Sequence, residues 1–197
     1  MTPLDSATRP LVGLLVGGRA MRFSGRRKGN LEVQDGRTVL TRLIAECERA
    51  LPGVELVLVG SSDGYDALGL SSLADEPRDV GPLGGISALL RFARATGRSS
   101  ALAFACDMPY LQAPLIARLA SEVPDALALA PRDGELWNSL AARYAVASLP
   151  VLEATLSRGE HAMQRFFARL GERAVALELR PGELETLADW DRPEDVR

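Results

Sequence analysis

The first apolar segment of the chain, residues 11–16, is followed by a glycine pair and a cluster of basic side chains. The pair is Gly17 and Gly18, and the basic residues are Arg19, Arg22, Arg26, Arg27 and Lys28. Glycines allow a tight turn whose backbone N–H groups approach an anion closely. The spacing fits neither the P-loop pattern nor the dinucleotide-binding pattern of glycines. We therefore predict a phosphate-binding loop of another type; a solvated basic turn is the alternative.

Two carboxylates follow other short segments of the chain. Asp107 comes directly after the apolar residues 101–106, where a carboxylate can hold Mg²⁺ together with water and phosphate oxygens. A turn cap is an equally good interpretation of Asp107 taken alone. Asp75 precedes the Gly/Pro turn at 81–85, and a carboxylate there can accept two N–H bonds from a guanine edge. By composition alone, this second segment is an ordinary polar loop.

The remaining polar candidates are less specific. Asp189 and Asp191 would share one face of a strand and could bind a metal or a polar ligand, but a helix cap is the more ordinary role. His161 is the single histidine and is predicted at the surface, so that no Ser/His/Asp triad can be assembled. Cys47 and Cys106 match no metal-binding spacing and indicate two free thiols.

The elements that must position these residues alternate along the chain. Apolar runs predict strands at 11–16, 54–59, 69–74, 101–106, 126–130 and 174–179. Helical spacing predicts helices at 39–51, 86–95, 113–122, 148–159 and 161–171, and the start of a terminal helix at 191–197. This alternation predicts a three-layer, doubly wound α/β fold with a mostly parallel sheet. Sites in such sheets lie beyond the carboxyl ends of the strands, where the glycine loop and both carboxylates fall.

Composition limits the class of protein. The 197 residues are 47% hydrophobic and 25% charged, which predicts a single domain over 1–197, with residues 1–10 expected to be flexible. The net charge of −3 does not indicate a nucleic-acid surface. Residues 1–10 lack the apolar segment of a signal peptide, and no apolar run reaches the ~20 residues of a membrane span. We therefore expect a cytoplasmic protein without nucleic-acid or membrane partners.

Motifs along nearly the whole chain resemble the MobA-like nucleotidyltransferases. They are, in chain order, "LVGGRAMRFSGRRKGNLEVQDGRTVL", "LADEPRDVGPLGGISAL", "FACDMPYL", "LSRGEHAMQRFFARLG" and "ADWDRPEDV". The resemblance implies a Rossmann-like nucleotidyltransferase fold and Mg²⁺-dependent transfer of GMP from GTP to molybdopterin, with release of pyrophosphate. It also implies GTP and molybdopterin as substrates, and molybdoenzymes or other proteins of cofactor biosynthesis as partners.

The resemblance further implies roles for individual residues. The matches to catalytic positions are Arg22, Lys28 and Asp107. The matches to nucleotide-binding positions are Leu15, Val16, Gly17, Gly18, Lys28, Gly60, Asp75 and Asp107. The matches to the acceptor side are Gly81, Pro82, Leu83, Gly84, Asn138, Asp189 and Asp191. In these roles Lys28 would neutralise the triphosphate, Asp75 would read guanine and Asp107 would hold Mg²⁺.

The chain departs from the family pattern at several positions. Arg27 occupies the place of an aspartate beside Lys28, a reversal of charge that adds a phosphate contact or marks altered substrate or activity. The other departures are Val16 for Ala, Phe23 for Met, Gly60 for Asn, Asn138 for Pro, and Asp189 and Asp191 for Asn. Two alternatives stay open: a cytidylyl- or sugar-phosphate nucleotidyltransferase of the same fold, and a non-catalytic nucleotide-binding or regulatory homologue.

Overall fold

A mostly parallel sheet lies in the middle of the protein. The structure, a computed structural model, describes residues 9–17 and 27–190. The strands in this part of the chain are β1 (Leu11–Leu15), β2 (Leu56–Val59), β3 (Ser71–Leu73), β4 (Ser100–Ala105), β5 (Ala128–Ala130), β6 (Arg132–Asp133), β7 (Leu136–Trp137), β8 (Ala141–Ala145) and β9 (Ala174–Ala176). The sheet has the order β3-β2-β1-β4-β8-β5-β9, and β6 and β7 form a separate hairpin.

Helices cover both faces of the sheet. Those of the described residues are α1 (Val39–Ala50), α2 (Pro82–Ala95), α3 (Ala113–Ser121), α4 (Leu149–Ser157), α5 (Met163–Leu170) and α6 (Glu183–Thr186). Helices α1 and α3 pack on one face with Leu14 and Phe104, and α2, α4 and α5 pack on the other with Leu11 and Ala103. The predicted three-layer, doubly wound architecture is confirmed. None of these helices is long and apolar enough to cross a membrane.

The local sequence explains how the elements around β1 pack. The side-chain oxygen of Thr38 accepts a hydrogen bond from the Thr41 N–H at 3.1 Å and so caps the start of α1. In the middle of β1, Gly13 faces α2, and a Cβ there would lie 2.5 Å from a methyl carbon of Leu89. The missing side chain therefore lets α2 pack closely on the central strand.

Strand β8 is a feature that the sequence analysis did not predict. It lies between β4 and β5 and is antiparallel to both. Its centre carries Arg143, which is only 3% exposed. The guanidinium donates hydrogen bonds to the backbone carbonyls of Ala120, Glu122 and Val123 at the end of α3. A charged residue thus interrupts the apolar pattern of a buried strand, because carbonyl oxygens of a helix end satisfy its donors.

Several boundaries differ from those predicted. Helix α2 begins at Pro82, so that most of the predicted turn at 81–85 is helical. The predicted strands at 69–74 and 174–179 are shorter, as β3 and β9. The hairpin and α6 are too short to give a periodic pattern. The predicted terminal helix at 191–197 lies outside the described residues.

Candidate functional site

A cavity of about 720 Å³ opens where the parallel strands end. Strand β1 pairs in register with β2 and β4, so that Leu15 lies beside Val59 and Ala105 at the sheet edge. The Val16 N–H donates to the Val59 carbonyl at 2.9 Å, and the Cys106 N–H donates to the Leu15 carbonyl at 3.1 Å. All five residues border the cavity. Its floor is therefore backbone whose position the sheet fixes.

An ion pair joins two chain segments that border the cavity. The Nζ of Lys28 lies 2.6 Å from an oxygen of Asp107, and the two side chains are 23% and 15% exposed. Lys28 is the first residue of a short 3₁₀ helix, and Asp107 lies two residues after the end of β4. The two residues are far apart in sequence and meet at the cavity beside the ends of β1 and β4. A cationic and an anionic group are thus held together in partial shelter from solvent.

Trp190 connects the segments that carry this ion pair. Its backbone N–H donates to the backbone carbonyl of Asp107 at 2.9 Å. Its buried indole packs with Leu31 and Val39, which follow Lys28 along the chain. Trp190 therefore contacts the Asp107 segment through its backbone and the Lys28 segment through its side chain.

Asp75 lies at another side of the cavity, two residues after β3. Its carboxylate faces bare backbone: a Cβ at Gly85 would lie 3.3 Å from one oxygen, and a Cβ at Gly17 would lie 3.9 Å from the other. Burial raises the pKa of Asp75, and the negative charge of Asp79 adds to that increase. The carboxylate is therefore a partly desolvated acceptor, which gains from N–H donors of a ligand.

Most of the described site candidates meet at this cavity. Those in its lining are Leu15, Val16, Gly17, Lys28, Asp75, Gly81, Pro82, Asp107, Asn138 and Asp189. The candidates Gly18, Arg22 and Asp191 lie outside the described residues, as do Arg19, Phe23 and Arg26. Asp189 lies in a coil segment after α6 and not in a strand, and the terminal helix that it was expected to cap lies outside the described residues.

Three candidates lie outside the cavity lining. Gly60 lies beneath Gly17, with a φ of 107°, and a Cβ there would lie 3.0 Å from the Gly17 nitrogen. Leu83 and Gly84 belong to helix α2 and are buried, because α2 begins earlier than predicted. A Cβ at Gly84 would lie 2.3 Å from the carbonyl oxygen of Pro77. These residues support the walls of the cavity, and their side-chain positions do not face its interior.

The hairpin of β6 and β7 forms a wall that the sequence analysis missed. Trp137 stacks on Phe167 of α5, with ring centroids 4.7 Å apart. Gln164 accepts from the Trp137 N–H at 3.1 Å and donates to the Trp137 carbonyl at 2.9 Å. Further missed residues of this wall are Asp133, Leu136, Ser139 and Leu140. A tryptophan beside the candidate Asn138 was the available signal, but two-residue strands give no pattern.

Tyr65 is another missed residue of the lining. It is buried, and a Cβ at Gly29 would lie 2.9 Å from its hydroxyl oxygen, so that glycine is needed beside Lys28. The guanidinium carbon of Arg27 lies 5.7 Å from the centre of the Tyr65 ring. Burial raises the pKa of Tyr65, and it raises the pKa of the neighbouring Cys106 to about 12. Both groups are neutral at pH 7.

The carboxylate of Asp107 fits one class of metal site. In the ranges 9–17 and 27–190, no three His, Cys, Asp or Glu side chains cluster into a metal site. Mg²⁺ is commonly bound by one or two carboxylates, with water and substrate phosphates as the other ligands. A single, mostly buried carboxylate that borders a cavity, with a lysine beside it, fits that class of site.

Two simpler predictions are confirmed. Cys47 and Cys106 are free thiols, both buried. His161 is exposed, between α4 and α5, and is not part of the cavity lining.

Comparison with known proteins gives consistent results. The sequence profile of the MobA-like NTP transferase domain matches residues 12–174. The molybdenum cofactor guanylyltransferase of Rhizobium meliloti is 34% identical over 97% of this chain and 90% of its own length. The molybdenum cofactor guanylyltransferase of Acidiphilium cryptum is 33% identical over 93% of each chain. The crystal structure of molybdopterin-guanine dinucleotide biosynthesis protein A from Archaeoglobus fulgidus has a TM-score of 0.72 at 23% identity and covers 94% of each chain.

Proposed function

Because the chain belongs to the family of MobA-like NTP transferase domains, we propose that it transfers GMP from GTP to molybdopterin and releases pyrophosphate, with Mg²⁺. The observation that carries this proposal is the grouping of Asp75, Lys28 and Asp107 around one cavity at the sheet edge. Each of the three supplies a different requirement of the reaction: base recognition, charge neutralisation and metal binding.

Asp75 is the residue that we assign to the base. Guanine presents its ring N–H and its amino group along one edge, so that a carboxylate can accept from both. A cytosine edge offers a single exocyclic amine. The partial desolvation of Asp75, which raises its pKa, also strengthens the hydrogen bonds that its charged form accepts. This chemistry favours GTP over CTP.

Lys28 and Asp107 are the residues that we assign to the phosphates. Asp107 would hold Mg²⁺, an ion that neutralises phosphate oxygens and stabilises the charge that develops during transfer. Lys28 contributes a positive charge at the same place, since its Nζ lies 2.6 Å from the Asp107 carboxylate. Phosphoryl transfer depends mainly on positioning and charge stabilisation, which rigid strand ends supply well.

The chemical step needs no general base. A terminal phosphate oxygen of molybdopterin attacks the α-phosphorus of GTP and forms the new bond. The bond from the α-phosphorus to the bridging oxygen breaks, and pyrophosphate leaves with the electron pair. The attacking phosphate is already ionised, so that no proton has to be removed. A cavity lining without histidine, as the described residues provide, is compatible with this reaction.

We assign the hairpin and the coil segment that carries Asp189 to the acceptor. Asn138, Asp189 and Asp133 place an amide and two carboxylates there, beside the aromatic Trp137. Carboxylate and amide oxygens accept N–H bonds, which a pterin ring presents in the way that guanine does. We place the reaction in the cytoplasm, with molybdoenzymes or other cofactor-biosynthesis proteins receiving the product.

The test is release of pyrophosphate by the purified protein with Mg²⁺ and GTP, CTP or UTP in separate reactions, each with molybdopterin or with a sugar phosphate as the acceptor. We expect release with GTP at a much higher rate than with the pyrimidine nucleotides. Release with CTP alone would assign the chain to cytidylyl transfer, and release with a sugar phosphate as acceptor would assign it to sugar-phosphate activation. Nucleotide binding without release under any of these conditions would contradict an enzymatic role.

A further inference from the structure

The described lining of the cavity contributes few cationic side chains to a triphosphate. It contains two cationic side chains and four carboxylates: Arg27 and Lys28 against Asp75, Asp107, Asp133 and Asp189. A nucleoside triphosphate brings several further negative charges, and like charges repel strongly where solvent is partly excluded. Lys28 already lies against Asp107. Arg27, which precedes Lys28 in the sequence, is therefore the second cationic side chain that this described lining offers to a phosphate.

Arg27 is held at the edge of the cavity by contacts of its side chain with Gly64 and with the ring of Tyr65. Its side chain crosses Gly64, where a Cβ would lie 3.3 Å from the Arg27 Nε. Its guanidinium lies over Tyr65, 5.7 Å from the ring centre. The loop beneath is tied to the Lys28 turn, because the Asn30 amide donates to the Gly64 carbonyl at 3.1 Å. The Arg27 side chain thus borders the same cavity as Lys28 and is about one third exposed, at 31%.

The ion pair between Arg27 and Asp63 is weak. The guanidinium lies 3.5 Å from an oxygen of Asp63, whose side chain is 84% exposed. That same carboxylate accepts from the Ser61 hydroxyl at 2.6 Å, so that Asp63 keeps a partner without Arg27. Ion pairs of such exposure contribute little to stability. A guanidinium, by contrast, presents a planar set of N–H donors that matches two oxygens of a phosphate.

We propose that Arg27 is a phosphate ligand of the nucleotide site, and that it exchanges Asp63 for the triphosphate when the nucleotide binds. The inference rests on the proposed function, because it assumes a nucleoside triphosphate in the cavity. It concerns the phosphates and not the base, so that it applies equally to GTP, CTP and inorganic tripolyphosphate.

The test uses three variants and one matched control. Arg27→Met keeps the stem over Gly64 and removes the charge, Arg27→Lys keeps the charge without the planar donors, and Asp63→Asn removes the resting partner. The control is Arg37→Met, since Arg37 is an exposed arginine paired with Asp35 outside the cavity lining. Calorimetric titration gives the Kd of each protein for GTP, CTP, UTP and tripolyphosphate, in the presence of Mg²⁺.

We expect Arg27→Met to weaken binding of all four ligands by the same factor, about tenfold, as for loss of one charged hydrogen-bonding group. Arg27→Lys should lie between Arg27→Met and the wild type. Asp63→Asn should strengthen binding by up to about threefold. Arg37→Met should bind as the wild type does.

Two outcomes would overturn the inference. Unchanged tripolyphosphate binding by Arg27→Met shows that Arg27 does not contact phosphate, and weaker binding of GTP alone shows that it reads the base. A melting temperature equal to that of the wild type verifies that Arg27→Met is folded. Wild-type protein that binds all three nucleotides equally contradicts the guanine preference of the proposed function, but it leaves the role of Arg27 intact.

Discussion

The wall of the cavity that we assign to the nucleotide is made by the sheet edge, whereas the wall that we assign to the acceptor is made by a hairpin and coil. On the nucleotide side, backbone hydrogen bonds fix Val16 and Cys106, and glycines allow close approach. On the acceptor side, Trp137 is held by stacking on Phe167 and by Gln164. Parallel strands in register leave little freedom, whereas a two-residue hairpin depends on a few side chains.

This contrast predicts that changes on the nucleotide side affect GTP binding or the rate of the reaction, and that changes on the acceptor side affect the affinity for the second substrate. The following substitutions test it in order of expected effect.

The largest effect is expected at Asp107. Asp107→Asn keeps the size of the side chain but removes the negative charge that pairs with Lys28 and that we assign to Mg²⁺. We expect kcat for pyrophosphate release to fall by at least about 100-fold, as for removal of a main charge-stabilising group. Asp125→Asn, at an exposed aspartate outside the cavity, is the control. A loss below about tenfold would remove Asp107 from the proposed mechanism.

Asp75→Asn tests the base-binding part of the same wall. We expect the Kd for GTP to rise by about tenfold, since one of two hydrogen bonds to guanine is replaced by a donor that faces a donor. Binding of CTP should change less. Equal losses for GTP and CTP would show that Asp75 does not select the base.

The pH dependence of GTP binding gives a second measurement on Asp75. The charged carboxylate is the form that accepts, so that GTP affinity should fall as the pH drops through the raised pKa of Asp75. This component should disappear in Asp75→Asn. In Asp79→Asn it should move to lower pH, because the Asp79 charge contributes to the increase. A profile that is the same in all three proteins would contradict the assignment.

The sequence predicted the nucleotide wall better than the acceptor wall, for physical reasons. Buried parallel strands are continuous apolar runs, and glycines and carboxylates at their ends are visible one after another along the chain. Strand β8 was missed because Arg143 interrupts its pattern, and its donors are satisfied only by carbonyls of a distant helix end. Tyr65 was missed because its partner Gly29 is remote in sequence. The positions of Asp75, Lys28 and Asp107 followed from their elements, but the ion pair required the three-dimensional structure.

Gly60→Ala tests whether the nucleotide wall depends on backbone. Gly60 has a φ of 107°, and a Cβ would lie 3.0 Å from the Gly17 nitrogen. Gly159→Ala is the matched control, since Gly159 has a φ of 72° but no atom within 4 Å of its Cβ position. In denaturant unfolding we expect a loss of about 1 kcal/mol for Gly159→Ala from backbone strain and about 2–3 kcal/mol for Gly60→Ala. Equal losses would show that the contact with Gly17 is unimportant.

The smallest effect is expected at Trp137, on the acceptor wall. Trp137→Ala removes a ring that stacks on Phe167 at 4.7 Å and borders the cavity. We expect KM for molybdopterin to rise by about three- to tenfold, as for loss of one aromatic contact, with an unchanged Kd for GTP. Trp137→Phe should restore much of the affinity, because it keeps the stack. Leu184→Ala, at an exposed residue outside the cavity lining, is the control.

Comparing the KM for molybdopterin with the Kd for GTP in Trp137→Ala shows whether the two walls act separately. If Trp137→Ala weakens GTP binding as much as it raises KM for molybdopterin, the hairpin supports the whole cavity and the two walls are one unit. If only KM changes, the hairpin contacts the acceptor alone. We expect a change in KM alone, because the backbone hydrogen bonds of the sheet edge position the nucleotide side without any contribution from Trp137.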